Sequence, residues 1–151
     1  MLVKISKARG SNGKKITMST FRRWVAVTLH LKGPSRPEDI IRTVMGDVIL
    51  DPRFAGLVYL KGLRVSSGAE GTLYKFGYNF AKGYLNRDRE RLTDKNEKAK
   101  MLAVIWRDAV LKGGEGIVQH YLGLFRHHPG SPDILLADEH MSRDVAKVMW
   151  R

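Results

Sequence analysis

The chain has 151 residues, of which 43% are hydrophobic and 28% are charged, a composition typical of one globular domain. It contains no cysteine, which excludes disulfide bonds, a thiol nucleophile and a cysteine-ligated zinc site. No apolar run approaches the roughly 20 residues that cross a bilayer, and the first twenty residues lack the apolar stretch of a secretory signal. We therefore expect a single domain over residues 1–151 that is intracellular (cytoplasmic or nuclear) and has no membrane segment.

Basic residues dominate the first two thirds of the chain. Lysine and arginine number 27 against 15 acidic residues, a formal net charge of +12. Residues 1–50 carry ten basic and three acidic side chains, residues 51–100 carry eleven and six, and residues 101–151 carry six of each. An excess of this size indicates an anionic partner such as nucleic acid, a nucleotide phosphate or an acidic protein. The alternative is that the charge only keeps a small protein soluble.

The first predicted elements are strands. Residues 1–15 form either a basic hairpin or a mobile basic arm, and residues 16–18 return as a strand. Residues 24–31 alternate between two faces, one of them wholly aliphatic, as a half-buried strand does.

A helix is predicted between Ser35 and Asp51. Pro37 is tolerated in a first helical turn, and the acidic residues that follow it complement the positive end of the helix dipole. The apolar stripe of this helix comprises Ile40, Ile41, Val44 and Val48.

Two strands, at residues 57–65 and 72–80, are predicted to form a hairpin around a loop at 66–71. The second strand places an aromatic ladder on one face: Tyr74, Phe76, Tyr78 and Phe80. Such a ladder can stack nucleic-acid bases, but it is more typical of a protein core.

From Thr93 onward the apolar residues recur at helical spacing. A helix with Trp106 in the core is predicted to end at Gly113-Gly114, and a second helix follows over about residues 117–127. A short helix begins at Ser131, and Ser142 caps the last one. Strands first and helices last predict an α+β fold, in which a mainly antiparallel sheet from the N-terminal half packs against the C-terminal helices.

The sequence contains no complete motif for catalysis. The turn at residues 10–15 lacks the spacing and the hydroxyl of a Walker loop, and Gly113-Gly114 follows a helix rather than the strand of a dinucleotide fingerprint. The five histidines lack the spacing of a metal-binding helix pair, and no nucleophile elbow occurs. We therefore expect no autonomous catalysis, no metal site and no cofactor for the isolated chain.

Two groups of basic residues are candidates for binding anions. The segment 86–91 alternates three arginines with acidic residues, and an extended strand would place the forked guanidinium donors on one face, where they suit phosphate oxygens. In a helix the same arginines would spread and pair with their acidic neighbours. The candidate anion-binding residues are Arg87, Arg89, Arg91 and Lys61. The candidate nucleic-acid-binding residues are Lys4, Lys7, Arg9, Lys14, Lys15, Arg22 and Arg23.

Residues 57–63, 76–80 and 85–89 together form a run of Tyr-x-Lys-Gly, Gly-Tyr-Asn and Asn-Arg-Asp-Arg. Over about residues 51–110, this run resembles the region downstream of the nucleotide-binding lobe in uncharacterised ATP-binding proteins of the GHKL class. That lobe needs glycine-rich lid motifs, and no Asp-x-Gly-x-Gly occurs in this chain. The resemblance therefore implies a detached downstream piece that does not bind ATP alone and has an ATP-binding protein as a possible partner.

Two functions follow from these observations. The first is a non-catalytic basic accessory or remnant domain of a GHKL-type ATPase, which acts through an anionic or protein partner. The second is a small nucleic-acid-binding module whose phosphate contacts are indifferent to base sequence, since no base-reading motif is present.

Overall fold

A computed structural model describes residues 17–19, 28–29, 36–65, 74–83, 95–137 and 139–150. Five strands precede two α-helices in this part of the chain, which confirms the predicted α+β class. The strands are β1 (Ile40–Arg42), β2 (Gly46–Ile49), β3 (Val58–Leu60), β4 (Leu63–Val65) and β5 (Gly77–Phe80). The α-helices are α1 (Lys95–His127) and α2 (Arg143–Met149), and short 3-10 helices cover Pro52–Phe54 and Pro132–Ile134.

The strands form one sheet in the order β1-β2-β5-β3-β4. Three of its four strand pairs are antiparallel, as predicted, but β3 and β5 are parallel, with Leu60 beside Phe80. The predicted hairpin between residues 57–65 and 72–80 is therefore wrong. Residues 57–65 turn back at Lys61-Gly62 and pair with themselves, because both turn residues have positive φ angles (50° and 82°), the backbone of a tight two-residue hairpin.

The predicted helix between Ser35 and Asp51 is also wrong, since this region forms the β1–β2 hairpin. Its branched aliphatic residues fit a helical stripe by spacing, but they also have high strand propensity. Gly46 decides between the two, because its φ of 154° is not helical and a Cβ atom at this position would collide with the carbonyl oxygen of Asn79. Asp51 accordingly caps the 3-10 helix that follows instead of ending an α-helix.

The N-terminal third is described at only two short places. Thr28 forms an antiparallel bridge with Leu63, and Leu29 is buried, in agreement with a half-buried strand at residues 24–31. Met18 and Ser19 have helical backbone, so the strand predicted at residues 16–18 is wrong there. The hydroxyls of Thr17 and Ser19 hydrogen-bond to each other at 2.9 Å. The predicted basic arm, residues 1–15, lies outside the described residues.

Helix α1 folds back on itself at Gly114, where the backbone angles (φ 69°, ψ −164°) are not helical. The rings of Trp106 and Tyr121 stack with centroids 5.0 Å apart, whereas fifteen residues of straight helix would separate them by about 22 Å. The predicted break at Gly113-Gly114 and the predicted end of the second helix at about residue 127 are confirmed. The predicted start at Thr93 lies outside the described residues.

The helical hairpin packs on one face of the sheet. Trp106 is fully buried and its ring contacts Phe76, with centroids 5.3 Å apart. Tyr74, Tyr78 and Phe80 are buried in the same cluster, so the aromatic ladder belongs to the core. The opposite face carries a smaller apolar cluster, formed by Leu29, Ile49, Phe54 and Tyr59.

The C-terminal segment completes this core. Ser142 caps α2 by accepting a hydrogen bond from the backbone of Val145 at 3.3 Å, as predicted. The helix expected at Ser131 is a single 3-10 turn, which Ser131 caps. Among the described helices, none has a stretch long and apolar enough to cross a bilayer.

Candidate anion-binding surface

Of the eleven predicted site residues, only Lys61 lies in a described part of the chain. The three arginines Arg87, Arg89 and Arg91 lie outside the described residues, and so do all seven basic residues of the N-terminal group. The geometry of the site is therefore built from Lys61 and the residues around it.

Lys61 is exposed on a turn whose backbone is held at two points. Its own N–H donates to the carbonyl of Phe80 at 2.8 Å, and the N–H of Gly62 donates to the side-chain oxygen of Asn79 at 2.8 Å. The side-chain nitrogen of Asn79 in turn donates to Asp47 at 2.7 Å. Asn79 is buried, and both its side-chain oxygen and its side-chain nitrogen are hydrogen-bonded. The turn and the base of the Lys61 side chain therefore have a fixed position.

Two further cations lie beside Lys61 at the same end of the sheet. Because β3 runs parallel to β5, Lys61 directly follows one strand and Lys82 lies two residues beyond its neighbour. Arg64 lies on β4, on the other side of β3, opposite Tyr59 and one pair inward from the Lys61-Gly62 turn. The adjacent strands are roughly 5 Å apart, so the three backbones span roughly 10 Å. We call Lys61, Arg64 and Lys82 the basic sheet end.

The basic sheet end is exposed and carries unneutralised charge. Within the described ranges, no carboxylate forms an ion pair with Lys61, Arg64 or Lys82. Three other described surface cations do have such partners: Arg53 pairs with Asp51 and Glu38, Arg107 with Asp108, and Lys147 with Asp144. Other exposed cations, such as Lys100 and Lys112, form no ion pair within these ranges, so the sheet end is distinguished by the neighbouring positions of its three cations. Three unpaired cations on a rigid support can attract an anion without first breaking internal ion pairs.

The aromatic ladder takes no part in this surface. Tyr78 and Phe80 have no exposed area, Tyr74 is buried beside them, and the half-buried ring of Phe76 packs edge-on against Trp106 and His120. These rings therefore cannot stack on bases. Any contact at the basic sheet end relies on charge and hydrogen bonds.

A second polar cluster lies inside the core and was not predicted. Asp133 is 1% exposed, and its carboxyl group accepts hydrogen bonds from the hydroxyls of Tyr78 and Ser131 and from the backbone N–H of Lys75 at 3.0 Å. Trp106 donates its indole N–H to the hydroxyl of Tyr78 at 2.9 Å. The only sequence signal was the position of Asp133 after Pro132, which indicates a helix start and not a buried acid.

This buried cluster holds elements together. Burial and the neighbouring carboxyl group of Asp133 raise the pKa of Tyr78 well above its usual value, so its phenol stays protonated at neutral pH. Because Tyr78 is on β5, Trp106 on α1 and Asp133 on the 3-10 helix after α1, the cluster ties the sheet, the helical hairpin and the C-terminal segment together.

An ion pair anchors the loop before β1. The Arg53 side chain donates to Asp51 at 2.6 Å and to Glu38 at 3.1 Å. The hydrogen bonds from Arg53 hold the pKa of Asp51 well below its usual range, and burial of Asp51 opposes them only in part. Across the ranges that the structure describes, no group of three or more His, Asp or Glu side chains is placed to hold a metal ion.

No family model, curated protein or solved structure matches this chain. Its function is therefore argued from its own residues. Sequence reasoning found Lys61 but missed Arg64 and Lys82, because Arg64 comes near it through the β3–β4 hairpin and Lys82 through the parallel pairing of β3 with β5. The one available signal was that Arg64 lies one residue before the end of the predicted strand 57–65 and Lys82 lies two residues after the predicted strand 72–80.

Proposed function

We propose that this chain is a non-catalytic accessory domain that contacts an anionic partner through its basic sheet end. The observation that carries the proposal is a group of three exposed cations that form no ion pair among the described residues: Lys61 on the turn that the buried Asn79 holds, Arg64 on β4, and Lys82 just after β5. Fixing the support lowers the entropy that binding costs, since fewer groups must be ordered in the complex. The net charge of +12 extends the attraction beyond the contact itself.

The resemblance to the downstream region of GHKL-type ATPases suggests what the domain accompanies. Two of the three motifs that carry the resemblance lie next to each other, since the N–H of Gly62 donates to the side chain of Asn79. The third motif, at residues 85–89, lies outside the described residues. On this proposal the partner is an ATP-binding protein, and the chain contributes a binding surface to it and not a nucleotide site.

The alternative is a small nucleic-acid-binding module. The specific observation in its favour is the same set of cations, since phosphate contacts supply most non-specific nucleic-acid affinity. Because Tyr78 and Phe80 are buried, such a module would bind without stacking on bases and would be indifferent to their sequence.

A binding comparison tests the proposal. The variant Lys61→Gln/Arg64→Gln/Lys82→Gln removes the charge of the basic sheet end and keeps the side-chain lengths similar. The matched control, Lys100→Gln/Lys112→Gln/Arg126→Gln, removes the same charge from exposed positions of α1. Fluorescence anisotropy would measure binding to polyglutamate and to single-stranded oligothymidylate at low salt.

We expect the sheet-end variant to lose most of its affinity and the α1 control to retain it. Equal losses in both variants would mean that only net charge matters, and would refute the site. Binding of oligothymidylate but not of polyglutamate would favour the nucleic-acid module over the accessory domain. Parallel measurements on a chain lacking residues 1–15 and on Arg87→Gln/Arg89→Gln/Arg91→Gln test the two predicted groups that lie outside the described residues.

A further inference from the structure

Strand β1 is the outermost strand of the sheet, and two of its residues direct their backbone groups away from the sheet. Antiparallel pairs alternate between bonded and non-bonded residues. The bonds from Leu50 to Asp39 (3.0 Å) and from Thr43 to Gly46 (2.9 Å) fix this alternation, so Ile41 bonds inward to β2. The N–H and C=O groups of Ile40 and Arg42 therefore face outward.

In the described part of the chain, no strand pairs with this outer edge of β1. An open edge is a template for strand addition, which many proteins block with bulges, inward-pointing charges or covering loops. Ile40 is only half-buried and Arg42 is exposed, so the edge is accessible to another chain. The charged residues on either side of β1 indicate what kind of chain can pair with this edge.

The charges around β1 are complementary to a second copy in antiparallel orientation. The exposed residues Glu38 and Asp39 come directly before the strand, and Arg42 ends it. If a two-fold axis passes beside Ile40, the acidic end of each β1 meets Arg42 of the other copy. The Glu38 side chain is 86% exposed and forms an ion pair with Arg53 at 3.1 Å, so Arg42 of the other copy would join an existing pair. The N–H of Glu38 donates to Asp51 and takes no part in the new ladder.

We propose that two copies of this chain pair through their β1 edges, with Ile40 of each copy at the two-fold axis. The two sheets then join into one continuous sheet, and Glu38 of each copy lies opposite Arg42 of the other. This interface is separate from the basic sheet end, which β3, β4 and β5 provide.

Charge reversal tests both the surface and the orientation. Glu38→Arg and Arg42→Glu each place like charges opposite one another in the symmetric dimer, so each variant alone is monomeric. When the two variants are mixed, every opposed pair becomes attractive again, and a heterodimer forms. Analytical ultracentrifugation, at concentrations up to about 1 mM so that a weak dimer is populated, measures all three samples and the wild type.

Three further variants keep the test specific. Ile40→Pro removes an outward N–H group and leaves the hydrogen bonds between β1 and β2 in place, so it abolishes the dimer. It also removes a side chain that packs against the cluster of Leu29, Ile49, Phe54 and Tyr59, and Ile40→Ala, which keeps the N–H group, controls for that loss and leaves the dimer intact. Lys112→Glu makes the same charge change as Arg42→Glu at an exposed position of α1 and leaves the dimer intact. Thermal unfolding of each variant verifies its fold.

The expected result is a wild-type dimer, monomers for Ile40→Pro and for each single reversal, and recovery of the dimer in the mixture. A wild-type chain that stays monomeric over this whole concentration range overturns the proposal. So does a dimer that survives Ile40→Pro, or a folded pair of reversal variants that fails to associate on mixing.

Discussion

Replacing Tyr78 with phenylalanine tests the buried cluster that joins the sheet to the helices. The hydroxyl of Tyr78 accepts a hydrogen bond from Trp106 at 2.9 Å and donates one to Asp133. All three side chains are almost completely buried, so water cannot replace the lost hydroxyl. The substitution removes one oxygen atom and leaves the ring in place.

The cost follows from the groups that remain. The substitution removes the hydroxyl to which the indole N–H of Trp106 donates, whereas the carboxyl group of Asp133 keeps its bonds to Ser131 and Lys75. A buried polar group left without a partner costs about 1–3 kcal/mol. We therefore expect Tyr78→Phe to lower the free energy of unfolding by about 1–3 kcal/mol. Urea denaturation measures this as a lower midpoint with an unchanged m-value.

Tyr74→Phe is the matched control, because Tyr74 is buried beside Tyr78 but its hydroxyl has no hydrogen bond among the described residues. It should cost less than about 1 kcal/mol. A double-mutant cycle of Tyr78→Phe with Trp106→Phe should give a coupling energy of about 0.5–3 kcal/mol. Equal losses for Tyr74→Phe and Tyr78→Phe, or a coupling energy of zero, would refute the role of the cluster.

Two other predictions concern single positions. Gly114→Ala should lower the free energy of unfolding by about 1–3 kcal/mol, because almost only glycine adopts the backbone angles at this position. Gly116→Ala should raise it by about 0.5–1 kcal/mol, because Gly116 has ordinary helical backbone and no atom lies near the added methyl group. Shifts of the same sign in the two thermal unfolding midpoints would contradict a turn at Gly114. Arg53→Gln should remove the stabilisation that comes from the lowered pKa of Asp51. That stabilisation is fully present above the ordinary aspartate pKa of 3.8 and is lost as the pH falls below it. The melting temperatures of the wild type and Arg53→Gln should therefore converge in acid. A difference in melting temperature that is constant with pH would count against this account.

Local sequence signals predicted those elements that local chemistry decides. Ser142 caps α2 because its side chain reaches a backbone N–H three residues later, a contact that depends on no other part of the fold. Gly113-Gly114 marks the turn of α1 because few other residues adopt the required angles. The aromatic ladder was assigned to the core because four rings on one face bury a large apolar area.

The errors arose where distant segments decide the structure. Residues 40–48 satisfy both a helical period and strand propensity, and the choice depends on Asn79, whose backbone lies against Gly46. The parallel pairing of β3 with β5 likewise depends on the Lys61-Gly62 turn and could not be read from two strand-like runs. Lys61 was therefore predicted as a site residue without Lys82, which this pairing places near it, and without Arg64, which the β3–β4 hairpin places near it.

The salt dependence of binding is the most direct test of the proposed anion-binding surface. For a single-stranded oligothymidylate, the logarithm of affinity falls linearly with the logarithm of salt concentration, with a slope of about −0.7 per phosphate contact. Lys61→Gln/Arg64→Gln/Lys82→Gln should therefore make the slope shallower by about 2 if all three cations contact phosphates. The α1 control variant should keep the wild-type slope. An unchanged slope in the sheet-end variant, or an affinity that does not depend on salt in the wild type, would contradict the account.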